Sequence, residues 1–196
     1  MDKPFSQACE NNKLPILNVL GAFFSDVMDV LEVGSGTGQH SVHFATHLAH
    51  LQWHCSDREI NHPGILQWHQ EAALTNLHAP LTLDLNDPWP VETVNAIFTA
   101  NTMHIISWPL VERFFQGVAK HLAPKGKLCI YGPFKYQGKY TSASNAEFDA
   151  FLKQQDVNSA IRDFEAICQL AEQAGLTLVK DVQMPANNQL LLFKRQ

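Results

Sequence analysis

Charged residues are scarce in this 196-residue chain: Asp, Glu, Lys and Arg make up 17% of it, with 14 basic residues against 19 acidic ones. Without a basic excess there is no footprint for a phosphate backbone, so no nucleic-acid partner is expected. Low charge beside 45% hydrophobic residues also excludes a disordered chain. Glycine and proline number only 10 each, too few for a collagen-like or low-complexity protein. Cysteine is limited to Cys9, Cys55, Cys129 and Cys168. No two are close in sequence, which excludes a CxxC site and a dense disulfide framework. No apolar run approaches the roughly 20 residues of a membrane span. The opening MDKPFSQACENNK lacks an apolar core of the signal-peptide kind. A cytoplasmic protein with no membrane partner is the default expectation. The length suits one domain over 1–196, with 1–28 as an N-terminal helical extension. A chain of this size buries about 70% of its unfolded surface.

Strand-like and helix-like segments alternate along the chain, with no internal repeat. This predicts an α/β domain with a mostly parallel sheet. A first helix is expected over 12–26, with Asn12 as its cap and Pro15 in its first turn. Strands are expected at 29–33, 51–56, 81–85, 94–100 and 127–132. Ser107 is expected to cap a helix in which Val111, Phe114, Phe115, Val118, Ala119 and Leu122 fall on one face. Residues 133–141 read as a loop, and Ser144 with Glu147 fits a capping box. A helix through Ile161, Phe164, Ile167, Cys168 and Ala171 is stopped by Gly175. Two last strands, 177–183 and 189–194, are joined by only five residues. So short a link cannot make a parallel crossover, and the pair must be antiparallel. The expected fold is therefore Rossmann-like, with seven strands, mostly parallel, ending in an antiparallel hairpin.

The strand Asp29–Val33 runs into Gly34-Ser35-Gly36-Thr37-Gly38 at a helix start. Such glycines let backbone approach a ligand closely, although the same sequence also suits a tight turn with no ligand. Gln39 stands where a dinucleotide fold wants its third glycine. Glu32, two residues before Gly34, would repel a pyrophosphate and suits a cationic amino group. Asp57 follows Gly34 by 23 residues, at a strand tip, where a carboxylate can accept both hydroxyls of a ribose. Asp84 can accept from the exocyclic amine of adenine, with the Leu85 N–H meeting a ring nitrogen. Ammonium, ribose and adenine sites in that order describe S-adenosylmethionine (SAM). An NAD oxidoreductase fits neither the third-glycine position nor the terminal hairpin.

The pattern resembles class I SAM-dependent methyltransferases. It is most similar to the methyltransferase-like twenty-six family, through Asn11-Asn12-Lys13, the Leu31–His40 segment, Ser56-Asp57 and Asn101-Thr102-Met103-His104-Ile105. The similarity continues in Tyr131-Gly132-Pro133-Phe134, Ser144-Asn145, Phe148-Asp149, Ile161-Arg162-Asp163 and Met184-Pro185-Ala186-Asn187-Asn188. One departure is Ala160, where glycine is expected before Ile-Arg-Asp. The resemblance implies a methyltransferase fold with SAM as cofactor, and brings no established acceptor. The expected cofactor set is Glu32, Gly34, Ser35, Gly36, Gly38, Asp57, Arg58, Asp84, Leu85 and Asn101.

Asn101-Thr102-Met103-His104 follows the fourth strand, beside the expected methyl donor, and is not the Asn/Asp-Pro-Pro-aromatic motif of amino-methylating DNA enzymes. His104 suits a general base because its ordinary pKa lies near neutrality; a structural histidine packed under the next helix is the alternative. Tyr131, Phe134, Tyr136 and Tyr140 surround the exit of the fifth strand, where ligands of open α/β sheets bind. Tyr131 and Phe134, with Arg162, Asn187 and Asn188, are the candidate acceptor-binding residues. His40, His43, His47 and His50 share one helix face, but no carboxylate or cysteine joins them, so a solvated polar stripe is expected and no metal. The sequence thus points to methyl transfer onto a small molecule. A non-catalytic protein that binds SAM or its demethylated product is the alternative.

Overall fold

The fold is described by a computed structural model covering residues 3–196. Met1 and Asp2 of the expected extension lie outside it. Helix α1 (Gln7–Phe23) begins earlier than the sequence suggested. Ser6, not Asn12, is its cap, accepting from the Cys9 N–H at 3.3 Å. Pro15 sits inside the helix, and Ile16, Leu20 and the following Phe24 are fully buried. Strand β1 (Asp29–Val33) leads through the glycine loop to α2 (Gln39–His47). Then come β2 (Gln52–Asp57), α3 (His62–Ala72) and β3 (Leu77–Thr82). The third strand thus precedes the expected 81–85, and Asp84 and Leu85 belong to the loop beyond it.

Strand β4 (Val94–Ala100), α4 (Trp108–His121) and β5 (Leu122–Gly132) follow. Residues 133–141, expected as loop, form β6 (Phe134–Tyr136) and β7 (Lys139–Tyr140), joined at Gln137 and Gly138, both with positive φ. Two such residues make the turn that matches strand twist. Helix α5 (Ala143–Gln155) is capped by Ser142, which accepts from the Asn145 N–H at 3.1 Å, so the Ser144–Glu147 box does not form. Strand β8 (Arg162–Asp163) places Ile161 outside α6 (Phe164–Gln173). Strands β9 (Leu176–Met184) and β10 (Asn188–Arg195) close the chain.

The main sheet has the order β3-β2-β1-β4-β5-β10-β9. Pairs from β3 through β5 are parallel, whereas β10 is antiparallel to both β5 and β9, as the short connection requires. A small second sheet, β7-β6-β8, caps the carboxyl end of β5. One core layer packs α4 and α6 on the sheet through Phe114, Val118, Ile167 and Phe193; the other packs α1 and α2 through Leu20, Phe44, Trp53 and Phe98. The strand order reverses between β1 and β4. In such sheets ligands bind beyond the carboxyl ends of the strands, at that reversal.

One reading of polar side chains changes. The histidine stripe is solvated only at its far end: His47 and His50 are exposed, whereas His40 is buried, stacks on Phe44 and bonds to Asn12 Oδ1 at 2.6 Å. Helix α1 covers that face, and desolvation holds His40 at a pKa of about 4. Among the described residues no group of three His, Cys, Asp or Glu side chains is placed to hold a metal ion, and no helix is long and apolar enough to cross a membrane. All four cysteines are unpaired.

Candidate functional site

The floor of the site is the turn after β1. Gly34 has φ 78°, and a Cβ there would come within 2.8 Å of Thr102 Oγ1, so only glycine lets β1 and the β4 exit approach. Gly38, at φ 87°, caps α2, and a Cβ would press on the Ile65 backbone at 3.1 Å. Gly36 N–H donates to Asp57 Oδ2 at 2.7 Å, while Asp57 Oδ1 accepts from Arg58 N–H and Asn61 Nδ2, each at 2.7 Å. The carboxylate at the tip of β2 thereby ties the glycine loop to the next turn. Ser35 Oγ accepts from Ser56 N–H at 3.1 Å, fixing the same loop from beneath.

A cleft of about 630 Å3 opens above this floor. Six of the expected residues line it: Gly34, Asp57, Arg58, Asp84, Leu85 and Asn101. Asp84 sits in a tight turn, its Oδ1 accepting from the N–H and Nδ2 of Asn86, each at 2.9 Å. Asn101 has φ 56°, a left-handed conformation that asparagine tolerates better than most residues and that clusters at functional sites. Leu83, Ile106 and Leu110 add an apolar wall, and Asn61, Thr102 and Ser107 add polar edges. Asp156 and Asn158 close the far side. Sequence reasoning missed these wall residues. The i, i+4 spacing of Ile106 and Leu110 at a helix start and the Asp-x-Asn turn at 156–158 were the available signals.

Glu32, expected in the cofactor set, lies within the sheet layer, 2% exposed, and does not line the cleft. Its Oε2 accepts from Trp53 Nε1 at 2.9 Å. Desolvation pushes its pKa up to about 7, against the lowering effect of hydrogen bonds from Trp53 and Ser35, and nearby Asp57 raises it further. Ser35, Gly36 and Gly38 likewise shape the loop without lining the cleft.

His104, the expected base, does not line the cleft: it is 4% exposed behind the wall residues Thr102 and Ile105 and packs edge-on against Phe148 with ring centroids 5.5 Å apart. Its Nδ1 lies 3.3 Å from where a Gly132 Cβ would be, so glycine makes room for the ring. Neither ring nitrogen has a hydrogen-bond partner among the described residues. Desolvation, then the charge of Arg162, lowers its pKa to about 4, so the imidazole is neutral at neutral pH.

The five expected acceptor residues do not line the cleft. Phe134 is 1% exposed and belongs to the core beneath α4 and α6. Tyr131 is buried, which raises the pKa of its hydroxyl, against the lowering effect of the nearby Asn12 and Asn188 side chains. The Asn187 carbonyl accepts from Asn145 Nδ2 at 3.0 Å, and Asn188 Nδ2 donates to Pro185 and Ala186 carbonyls. These amides brace the β9–β10 turn. Arg162 donates to backbone carbonyls of the β4 exit loop and of Asn158.

A Gly-floored cleft at the β1/β4 reversal, on a sheet whose last strand pair is antiparallel, is the arrangement of class I methyltransferase folds, and solved structures match it closely. An O-methyltransferase family protein from Burkholderia thailandensis superposes with a TM-score of 0.85 at 15% identity, over 96% of this chain and 57% of that one. Human N-acetylserotonin methyltransferase, solved in complex with SAM, gives 0.79 at 12%, over 96% and 53%. An O-methyltransferase family 2 protein from Planctomyces limnophilus, solved with apigenin, gives 0.73 at 16%, over 95% and 62%. The chain thus spans little more than half the length of these proteins, and at such identities the likeness is one of fold. The chain itself belongs to the family described as protein of unknown function DUF938, which matches residues 3–195.

Proposed function

We propose that this protein is a SAM-dependent methyltransferase acting on a small-molecule acceptor. The observation that carries the reading is the convergence of Gly34, Asp57, Asp84, Leu85 and Asn101 on one cleft at the strand-order reversal. The residues fit the cofactor. The Gly34 floor leaves no room for a side chain, the Asp57 carboxylate suits ribose hydroxyls, and Leu83, Ile106 and Leu110 form an apolar bed beside Asp84 for a purine. Glu32 does not line the cleft; buried beneath the loop, it stays in the proposal as a partner for the ammonium in its ionised form.

When bound, SAM supplies a methyl group already activated on a sulfonium. The chain's work is then to hold the acceptor in line with that methyl and to keep water out. His104 is the proposed base where the acceptor needs deprotonation, and its neutral state leaves a nitrogen free to accept. Tyr131 and Asn188 stay in the proposal as supports of the acceptor side. Phe134, sealed in the core, leaves it. N-acetylserotonin and apigenin, named for two of the solved structures, are small molecules, which supports an acceptor of that size. The narrower kinship with the methyltransferase-like twenty-six family belongs to this proposal and rests on the Tyr131–Phe134 and Met184–Asn188 segments. A cytoplasmic setting belongs to it too, supported by four unpaired cysteines.

The test is turnover: S-adenosylhomocysteine should accumulate when protein and SAM meet a small-metabolite extract, and not without the extract. SAM binding with no product from any extract would overturn the enzyme reading and leave the non-catalytic binder.

A further inference from the structure

Four consecutive carbonyls, from Met103 to Ile106, are all taken by one short segment more than fifty residues away. Arg162 Nε donates to the Met103 carbonyl at 3.0 Å, and the Ala160 N–H donates to that of His104 at 3.0 Å. Ser159 Oγ donates to the Ile105 carbonyl at 2.6 Å, and Arg162 Nη2 to that of Ile106. The same Nη2 also reaches the Asn158 carbonyl at 2.9 Å. The guanidinium is therefore spent on backbone dipoles from both sides of the cleft. Asn101, Thr102, Ile105, Ile106 and Ser107 supply one wall, and Asp156 and Asn158 supply the other.

We propose that Arg162 is a positioning residue for this cleft: its planar fork, with Ser159, locks residues 103–106 against the 156–158 turn and fixes both the cleft wall and the His104 imidazole. A loop carrying four unsatisfied carbonyls would have to turn them to water, and its side chains would move with them. Asn101, strained at φ 56° at the loop's start, needs neighbours that hold it there. A guanidinium holds divergent acceptors in fixed directions, whereas a lysine ammonium is a point charge. The arrangement has an electrostatic consequence as well. His104 faces Phe148 of α5 and Gly132 of β5, neither of them charged, and Arg162 is the charged group acting on it. After burial itself, this positive charge keeps the imidazole neutral. The consequence for SAM rests on the function proposed above; the clasp itself does not.

Two variants separate fork from charge, with SAM affinity by calorimetry and the His104 titration by NMR as readouts. Arg162→Gln should weaken SAM about tenfold, the scale of lost charge-assisted hydrogen bonds, and raise the His104 midpoint by about half a unit. Arg162→Lys keeps the charge, so the midpoint should stay near the wild-type value of about 4, yet SAM should still weaken several-fold because an ammonium cannot span the carbonyls. Full SAM affinity in Arg162→Lys would overturn the role of the fork. An unmoved His104 midpoint in Arg162→Gln would overturn the electrostatic part. Should Arg162→Gln fail to fold, Ser159→Ala removes one bond of the same clasp: a loss of about threefold in SAM affinity supports the proposal, and none overturns it. Wild-type protein that binds no SAM would refute the cofactor reading, and the NMR titrations would then decide the clasp alone.

Discussion

Replacing Glu32 by Gln should stabilise this protein, increasingly as pH rises from about 4.5 to 7 and fully above that window. Glu32 is 2% exposed, and burial raises its pKa from the ordinary 4.5 to about 7. An acid whose folded pKa lies above its unfolded one binds more protons when folded. Between pH 4.5 and about 7 stability therefore falls as pH rises, and above that window the whole penalty applies. A shift of this size corresponds to about 3 kcal/mol at pH 8. Gln keeps an oxygen for the Trp53 Nε1 bond, held at 2.9 Å in the wild type, and carries no charge to desolvate. For a chain of this length 1 kcal/mol moves the melting temperature by about 2–4 °C, so Glu32→Gln should melt some 6–12 °C above wild type at pH 8. At pH 4 and below the two should melt together. Scanning calorimetry of both proteins across this range is the assay. A variant that melts with or below the wild type at pH 8, with the same pH slope, would refute the burial argument. If the carboxylate also attracts the cofactor's ammonium, the stabilised variant should bind SAM less tightly.

Asp57→Ala should weaken SAM by roughly 1.5–3 kcal/mol and leave a folded protein, because the three donors it loses lie at the cleft's edge, where water can replace it. Unchanged affinity in the folded variant, by calorimetry, would remove Asp57 from the site. His104→Gln should cut turnover about 10²–10⁴-fold with SAM affinity nearly intact if the imidazole takes a proton. Its pKa of about 4 moves the acid limb of activity well below neutrality, so the rate should not fall between pH 7 and 5.5 on its account. Full activity in the variant would end that role. His40 is neutral when folded, with its pKa lowered to about 4 from 6.5, so its contribution is lost as pH falls from about 6.5 toward 4. Urea unfolding of wild type and His40→Gln should differ by about 2 kcal/mol less at pH 5 than at pH 7, and an equal difference at both would contradict the burial of a neutral imidazole.

The elements that sequence patterning reveals here are those whose signals are local. The five residues of β1, the glycines after it and the amphipathic face of α4 need no distant partner to be recognised. The antiparallel end of the sheet follows from the brevity of the 185–187 turn. Strand β3 was displaced because Pro80 interrupts its pattern; an edge strand, paired on one side, tolerates that proline. The cap of α5 falls on Ser142 and not on the expected Ser144 because it is the Ser142 hydroxyl that meets a free N–H, that of Asn145. At the site, Asp57, Asp84 and Asn101 were legible from their places after successive strands. Arg162 is legible in the sequence only as a candidate acceptor-binding residue and not for its clasp, because its partners are backbone carbonyls 56 and 59 residues away that carry no side-chain signal. His40 looked solvent-facing because the helix that buries it, α1, begins before the expected cap.

The central claim is that the cleft above Gly34 takes SAM. Titration calorimetry with SAM and, separately, with NADH tests it most directly. The account predicts one SAM per chain at micromolar strength and no heat from NADH. Clear binding of NADH with none of SAM would contradict it.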